Sequence, residues 1–324
     1  MFLAPDGDEV AIASAAAEFL ADAMPIDRLH GADGGDMGAP LRQSLGEMGW
    51  FALALPENQG GSGLSAVEHV LFFREVGRQC GPVDVLAQSL AAMVATDDTM
   101  RAAILSGEAG VALAVNDGAG LRLLGSPDAT YALHVSREQA RLLSITDIVA
   151  PARPALDPAT SMRVAEGAAQ APVAETTGEH VWRMGELGAA AMLVGIAEAA
   201  LDLIVDYAKV RETFGRKIGA YQAVRHPCAD MALRAEAARC QLWYAAAAIK
   251  EERGDAAVHL DAAKHLANQA AIANADTNIQ LHGGIGVTDE HHAHLMLKHA
   301  LVLGKLFGSK RTLLGRLVNS KVED

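Results

Sequence analysis

A mainly α-helical chain carrying one small β domain is the fold class this sequence predicts, and three observations predict it. Hydrophobic residues make up 51% of the 324-residue chain but aromatic residues only 4%. Much of the apolar content is alanine in runs such as DEVAIASAAAEFLAD, and alanine loses no side-chain entropy in a helix, whereas strands favour β-branched and aromatic residues. Apolar residues recur at helical spacing through the first hundred residues and again from Thr177 to the end, while between Gly110 and Glu175 the texture becomes short β-type runs broken by turn residues. A chain this long can bury a large core and hold two or three domains.

Taken in order, Asp8 to Asp22 has the apolar spacing of a first helix, and a second is expected over Pro40 to Trp50. PENQGGSGLS reads as a loop. Ser65 and Glu68 form an S-x-x-E capping box that starts a helix running to Val76 and Gly77. Pro82 breaks the chain before a helix over Val83 to Ala95. VALAV, LRLLG, YALHVSR and ARLLSITDIV are the β runs, and Asp117 with Gly118 is a hairpin turn signal. Long helices follow over Glu179 to Lys209, Gln222 to Arg253 and Asp255 to His282, with one or two shorter ones to Asn319. Pro227 is placed near its helix start, where a missing N–H is least costly, and Gly283 with Gly284 reads as a helix C-terminal cap. Antiparallel helices on short loops imply a bundle of about four.

A formal charge of −13 argues against nucleic acid, since phosphate backbones need clustered Lys and Arg. Cys80, Cys228 and Cys240 form neither a disulfide framework nor a metal-ligand spacing, which fits a reducing, cytoplasmic compartment. The N-terminus MFLAPDGDEV shows no basic segment followed by an apolar one. Glu198, Asp202 and Asp206 interrupt the longest apolar stretch, Gly188 to Ala208, and share one helix face. That pattern belongs to a bundle helix and not to a membrane span.

Two stretches carry most of the functional information: RETFGRKIGAYQAVRHPCADM, Arg211 to Met231, and QLHGGIGVTDEHHAHLMLKHA, Gln280 to Ala300. Each sets a polar or cationic side chain beside a glycine step at a helix end, where an anionic or nucleotide ligand can be held. Together they look like a flavin-nucleotide site. Each has a blander alternative, in which Arg211 caps a helix C-terminus and the glycines only end another helix. Arg216 and Lys217 are cations for a nucleotide phosphate or a solvated loop. His291, His292 and His294 beside Glu290 are expected to be a solvated helix start, because H-x-H projects its side chains about 200° apart on a helix, and no metal is expected there. Asp230 and Met231 are read as an ion pair and packing.

The order helical domain, β domain, bundle, together with RETFG…Gln222 and QLHGGIG, resembles the acyl-CoA dehydrogenase family. LGEMGWFALALPENQGGSGLSAVEHVLFFREVGRQCGP is similar to the family's Gly-Trp segment and the Pro-Glu-x-x-Gly-Gly-x-Gly-Leu turn after it. The resemblance implies an N-terminal helical domain over residues 1–108, a reduced middle β domain over 109–176 and a C-terminal four-helix bundle over 177–324. It implies an enzyme in which a carboxylate takes the α-proton of an acyl-CoA thioester while the β-carbon passes hydride to flavin, such a base needing its pKa raised by a desolvated pocket. The family's FAD is shared across a subunit interface. On matching positions here, Arg211, Thr213, Phe214 and Gln222 would contact the pyrophosphate and adenosine side of a neighbour's FAD, with Gln280, Gly283 and Gly284 as the second wall.

The sequence also departs from the family. At the two positions where members carry the catalytic base stand Phe307 and Gly185, neither of which can take a proton. Glu186 stands one residue on, where the family often has a CoA-contacting arginine; it is read as a solvated or structural carboxylate near Arg183 at i−3, or as a displaced base. The β domain has no Thr-x-x-x-Ala-Gly-Ser-Asp and no Trp-Ile-Thr-Asn segment, AVNDGAG being the nearest stretch. The resemblance therefore implies a subunit of a heteromeric, α2β2 dehydrogenase acting on a bulky CoA thioester, as in bacterial steroid side-chain degradation. A homologous base-bearing chain would be the partner and electron-transfer flavoprotein the oxidant. Two alternatives stay open: a self-sufficient homo-oligomer using Glu186 or another carboxylate, and a non-catalytic protein that binds CoA esters or a partner on the same fold.

Overall fold

A computed structural model describes residues 5–31, 35–116, 120–165 and 171–320. The chain forms two compact units: Met1–His30 with Val70–Cys80 and Glu186–Asp324, and Gly31–His69 with Gly81–Gly185. The order is α1 (Gly7–Ala23), a 3₁₀ turn Ile26–His30, α2 (Ala39–Glu47), α3 (Ala66–Arg78), α4 (Val83–Val94), α5 (Asp98–Leu105), seven strands, and then the long α6 (Gly178–Val210). The mainly helical fold with a small sheet in the middle is as the sequence predicts.

The second unit holds the sheet. Its strands are β1 (Val111–Asn116), β2 (Leu121–Leu124), β3 (Tyr131–Val135), β4 (Gln139–Ser144), β5 (Ala152–Arg153), β6 (Met162–Ala165) and β7 (Ala174–Thr177). They run in the order β5-β6-β2-β1-β3-β4-β7, with β1 and β3 parallel and the other pairs antiparallel. Four of these strands are the runs the sequence displays; β5, β6 and β7 are short or polar and carry no alternation to find them by. The Asp117–Gly118 turn lies outside the described residues, but its flanks pair antiparallel from Leu113↔Leu124 to Asn116↔Leu121. Small residues make this core, Ala112, Ala114, Ala129 and Ala132 among Leu123, Leu143 and Ile145. Almost all of α4 is buried, and Gln88 from it donates to the carbonyls of Ile104 and Ala109 and accepts from the Val111 amide. The capping box forms as expected: Ser65 Oγ accepts from Val67 N, and Glu68 reaches back to Ser65 N at 2.8 Å.

In the first unit, α6 packs on α3 at a glycine crossing. A Cβ on Gly77 would lie 2.0 Å from the Met192 carbonyl oxygen, and one on Gly195 2.0 Å from that of Arg74, so neither position admits a larger residue. This approach lets Arg74 reach Glu198 at 2.6 Å and Arg78 reach Asp202 at 2.6 Å. Two of the acidic residues on that face of α6 thus meet arginines of α3. The helix is long and apolar enough to cross a membrane, but 78% of its most apolar window is buried inside the protein.

After α6 come a two-strand hairpin, β8 (Glu212–Thr213) and β9 (Arg216–Lys217), and the helices α7 (Gln222–Lys250), α8 (Ala256–His282), α9 (Ala293–Leu303) and α10 (Lys310–Asn319). The contacts Gln241–His259 and Arg234–Asn274 run antiparallel between α7 and α8. Buried Asn274 also donates to the carbonyls of Ala197 and Met231, tying three helices at one residue. Pro227 is a correction. It is the sixth residue of α7 and lies inside the helix, past the first four positions whose N–H groups lack a partner anyway, so one helical hydrogen bond is forgone. Met231 is fully buried as expected, but Asp230 is exposed and has no ion pair among the described residues.

Candidate functional site: an open clamp at two helix ends

Helix α6 ends at Val210, and the Arg211 amide still donates to the Tyr207 carbonyl at 2.8 Å. Arg211 is therefore held by the helix while its side chain is exposed, with no ion partner among the described residues. The hairpin turns on Phe214 and Gly215, both left-handed at φ +49° and +78°. Two positive φ values in a two-residue loop match the right-handed twist of its strands. A phenylalanine adopting that conformation with 98% of its surface exposed is otherwise unfavourable, so the tip presents an apolar ring outward. Tyr221 supports the hairpin by donating to the Thr213 carbonyl at 2.9 Å, and the Arg216 guanidinium lies 4.1 Å over its ring. Lys217 pairs with Glu212 at 2.7 Å. Arg216 and Lys217 thus have partners within the turn, whereas Arg211 has no ion partner among the described residues. Gln222 is the first residue of α7, exposed, at a helix start with no side-chain cap.

The second wall is the end of α8. Gln280 is exposed in its last turn. Gly283 closes the helix at φ +69°, ψ −144°, a region open essentially to glycine alone. A Cβ on Gly283 or on Gly284 would meet nothing within 4 Å, so both leave bare backbone beside open space, which fits close approach of a nucleotide. Gly283 is the cap the sequence predicts; Gly284 belongs to the 3₁₀ turn Gly283–Val287 that follows. Tyr207 and His282 bring the two walls together, their ring centroids 4.5 Å apart. Neither residue stands out in the sequence. The signal was positional: Tyr207 is one turn before Arg211, and His282 lies inside QLHGG.

The expected base positions are different. Phe307 is buried, at φ +54°, in the turn before α10, followed by Gly308 at φ +133°. Gly185 is buried within α6. Glu186 is fully buried and accepts from Arg316 of α10 at 2.9 Å. Of the solvated or structural carboxylate expected near Arg183, the structural role holds while the solvation and the partner are corrected, since Glu186 is buried on Arg316 and Arg183 pairs with Glu179 at 2.9 Å. Arg316 also binds Asp261, and fully buried Lys264 donates to Asn268 and to the Leu303 carbonyl. Burial pushes the Lys264 ammonium down to about 7, with Arg316 adding to the effect and Glu186 opposing it. The histidines are corrected as well. His291 and His292 are half-buried, and their rings pack against His282 and His30, so this is no solvated helix start.

Residues 6–103 match the family described as Acyl-CoA dehydrogenase, N-terminal domain, and residues 182–320 the one described as Acyl-CoA dehydrogenase, C-terminal domain. Acyl-CoA dehydrogenase FadE34 of Mycobacterium tuberculosis is 33% identical over 322 residues, which are 94% of this chain and 45% of that protein; the chain thus spans under half of FadE34. Acyl-CoA dehydrogenase IpdE2 of the same organism is 30% identical over 278 residues, 84% of this chain and 83% of IpdE2. Among solved structures, a chain of the ChsE4-ChsE5 complex from Mycobacterium tuberculosis superposes with a TM-score of 0.82 at 21% identity, over 99% of this chain and 100% of that one.

Proposed function

This chain belongs to the acyl-CoA dehydrogenase family, and on that premise we propose that it is the subunit lacking the catalytic base in a heteromeric acyl-CoA dehydrogenase. In this reading it supplies the adenosine and pyrophosphate half-site for FAD that a base-bearing partner chain uses. The observation that carries it is a contrast: Phe307 and Gly185 occupy the two base positions, while Arg211, Phe214, Gln222, Gln280, Gly283 and Gly284 stand exposed with open space beside the glycines. Arg211 would pair with the pyrophosphate, the α7 start would add backbone N–H groups, and the glycine step would let the nucleotide lie on backbone. Bound FAD supplies the two-electron acceptor for α,β-dehydrogenation of the thioester. The binding residues orient the cofactor, and the proton acceptor for the α-carbon comes from the other chain. A bulky CoA thioester as substrate and electron-transfer flavoprotein as oxidant extend the same reading. Cys80, Cys228 and Cys240 form no disulfide among the described residues, which supports a cytoplasmic setting.

The purified chain is expected to be flavin-poor and inactive, and co-expression with a base-bearing homologue to restore both flavin and turnover. Full FAD occupancy with turnover by this chain alone overturns the proposal. The second reading, Glu186 as base in a self-sufficient enzyme, draws support from its complete burial away from water. Its pairing with Arg316 counts against it, because a nearby cation favours the ionised form. Glu186→Gln discriminates: loss of turnover with FAD retained favours Glu186 as base, and unchanged turnover of the heteromer excludes it.

A further inference from the structure

Behind the clamp lies a layer of aromatic rings that neither sequence motif explains. Tyr207 packs on His282, and His282 packs on His291 with centroids 4.3 Å apart. His291 neighbours His292 at 6.3 Å, and His292 stacks on His30 at 5.0 Å. The tautomers follow from backbone partners. His282 Nδ1 faces the Asn278 carbonyl at 2.8 Å, and a carbonyl only accepts, so Nδ1 carries the proton. Its Nε2 is left as an acceptor, buried and without a partner among the described residues. His291 Nδ1 accepts from Ala293 N, the first amide of α9, at 3.1 Å, so that ring is neutral while the bond holds. The two stacked residues belong one to each wall: Tyr207 lies in the last turn of α6, where its backbone carbonyl accepts from the Arg211 amide, and His282 is the last residue of α8, directly before Gly283.

We infer that Tyr207, His282 and His291 are positioning residues for the nucleotide, their ring stack setting the distance between the cationic wall and the glycine wall of the clamp, and that it does so only while both histidines are neutral. The inference rests on the clamp reading proposed above. The charged and titratable groups around the stack are His30 and Asp27 from the 3₁₀ turn, and His292, His294, Asp289 and Lys298 from the α9 region, with Asp27 bound to His292 at 3.0 Å. Burial first, and then these neighbouring histidines, hold His291 down to about 4, and burial lowers His282 as well. A proton on His291 Nδ1 would remove the acceptor from the α9 amide and set a cation at a helix N-terminus, where charge of that sign is unfavourable.

The test uses the full-length chain with adenosine diphosphate as probe, by isothermal titration calorimetry. Tyr207→Ala and His282→Asn are expected to weaken ADP about tenfold, while Tyr207→Phe binds like the parent, because the ring and not the hydroxyl sets the spacing. His282→Asn keeps an amide to donate to Asn278 and loses only the ring, so it remains informative if Tyr207→Ala does not fold. Parent affinity is expected to fall as the pH is lowered through about 4, where His291 of the folded chain takes its proton, and His291→Asn, which can still accept from Ala293 N, to flatten that dependence. Arg211→Ala separates the two failures. Should it leave ADP binding unchanged, or the parent show no saturable binding, the clamp reading fails and this inference with it. If Arg211→Ala weakens ADP but folded Tyr207→Ala and His282→Asn bind as the parent does, or His291→Asn keeps the full pH dependence, the clamp stands and the positioning role is wrong.

Discussion

Two regions of the first unit, the proposed clamp and the surroundings of Arg316, treat their charges in opposite ways. At the clamp, Arg211 and Gln222 are exposed, and bare glycine backbone faces open space. Around Arg316, which a Cβ on Gly308 would approach to 3.3 Å, Glu186, Asp261, Arg316 and Lys264 are close together and largely buried, and Glu186 and Asp261 share one guanidinium. Leaving a cation in water costs little, whereas burying an ion demands partners at once. A charge held open is available to a ligand; a charge already neutralised inside the protein serves the fold. The chain has kept the first kind where a nucleotide would bind and the second kind beside the turn where the family carries its base.

The most severe test of that contrast is Arg316→Ala, which removes the guanidinium that Glu186 and Asp261 share. Breaking a buried pair from one side costs about 3–5 kcal/mol, and denaturant unfolding should register a loss of that order. A loss under about 1 kcal/mol would mean that the carboxylates do not depend on Arg316, and would reopen the reading of Glu186 as a base. At the clamp the opposite signature is expected. Arg211→Ala should move unfolding stability by no more than about 0.5 kcal/mol, yet weaken ADP by roughly 1.5–3 kcal/mol, the range for a hydrogen bond to a charged group. Equal effects on stability and binding would erase the distinction between the two ends.

Gly283→Ala isolates the backbone. There is room for the methyl group, so the expected cost, about 1–3 kcal/mol, comes from the positive-φ conformation alone. An unperturbed variant would show that the helix end can relax. A separate pair of effects is in pH. Lys264 holds its proton less well folded than unfolded, down to about 7 against an ordinary 10.5, so the unfolded chain binds more protons in that window and stability should rise as pH climbs through it. His291, held down to about 4 against 6.5, gives the same sign in a lower window: its contribution is fully present above 6.5 and declines toward pH 4. Unfolding measured across pH should lose the upper slope in Lys264→Met and the lower one in His291→Asn.

Local chemistry was readable from the chain. The capping box at Ser65 and Glu68, the α6, α7 and α8 spans, and the Gly283 cap follow from periodicity and from side chains that satisfy backbone within a few residues. The strands β5, β6 and β7 were missed because their identity lies in the neighbours they pair with, and two to four residues carry no period. Pro227 costs α7 a hydrogen bond even though the helix starts at Gln222 as predicted, because the sixth residue already lies past the first turn. Clamp residues could be named one by one, since each sits in a contiguous motif, but the Tyr207–His282 contact that joins the motifs spans 75 residues of sequence and leaves no local trace.

By itself the sequence determined the helical class, the caps, the two glycine-bearing motifs and the presence of Gly185 and Phe307 rather than carboxylates, because each of these is a property of residue type and short-range spacing. Tertiary structure alone decided which charges remain free. Whether Glu186 meets Arg183 or Arg316, whether Arg216 or Arg211 is spent on the fold, and whether His291 faces water or another ring all depend on which helices come together. Burial then sets the energy of every ion and every proton at those contacts.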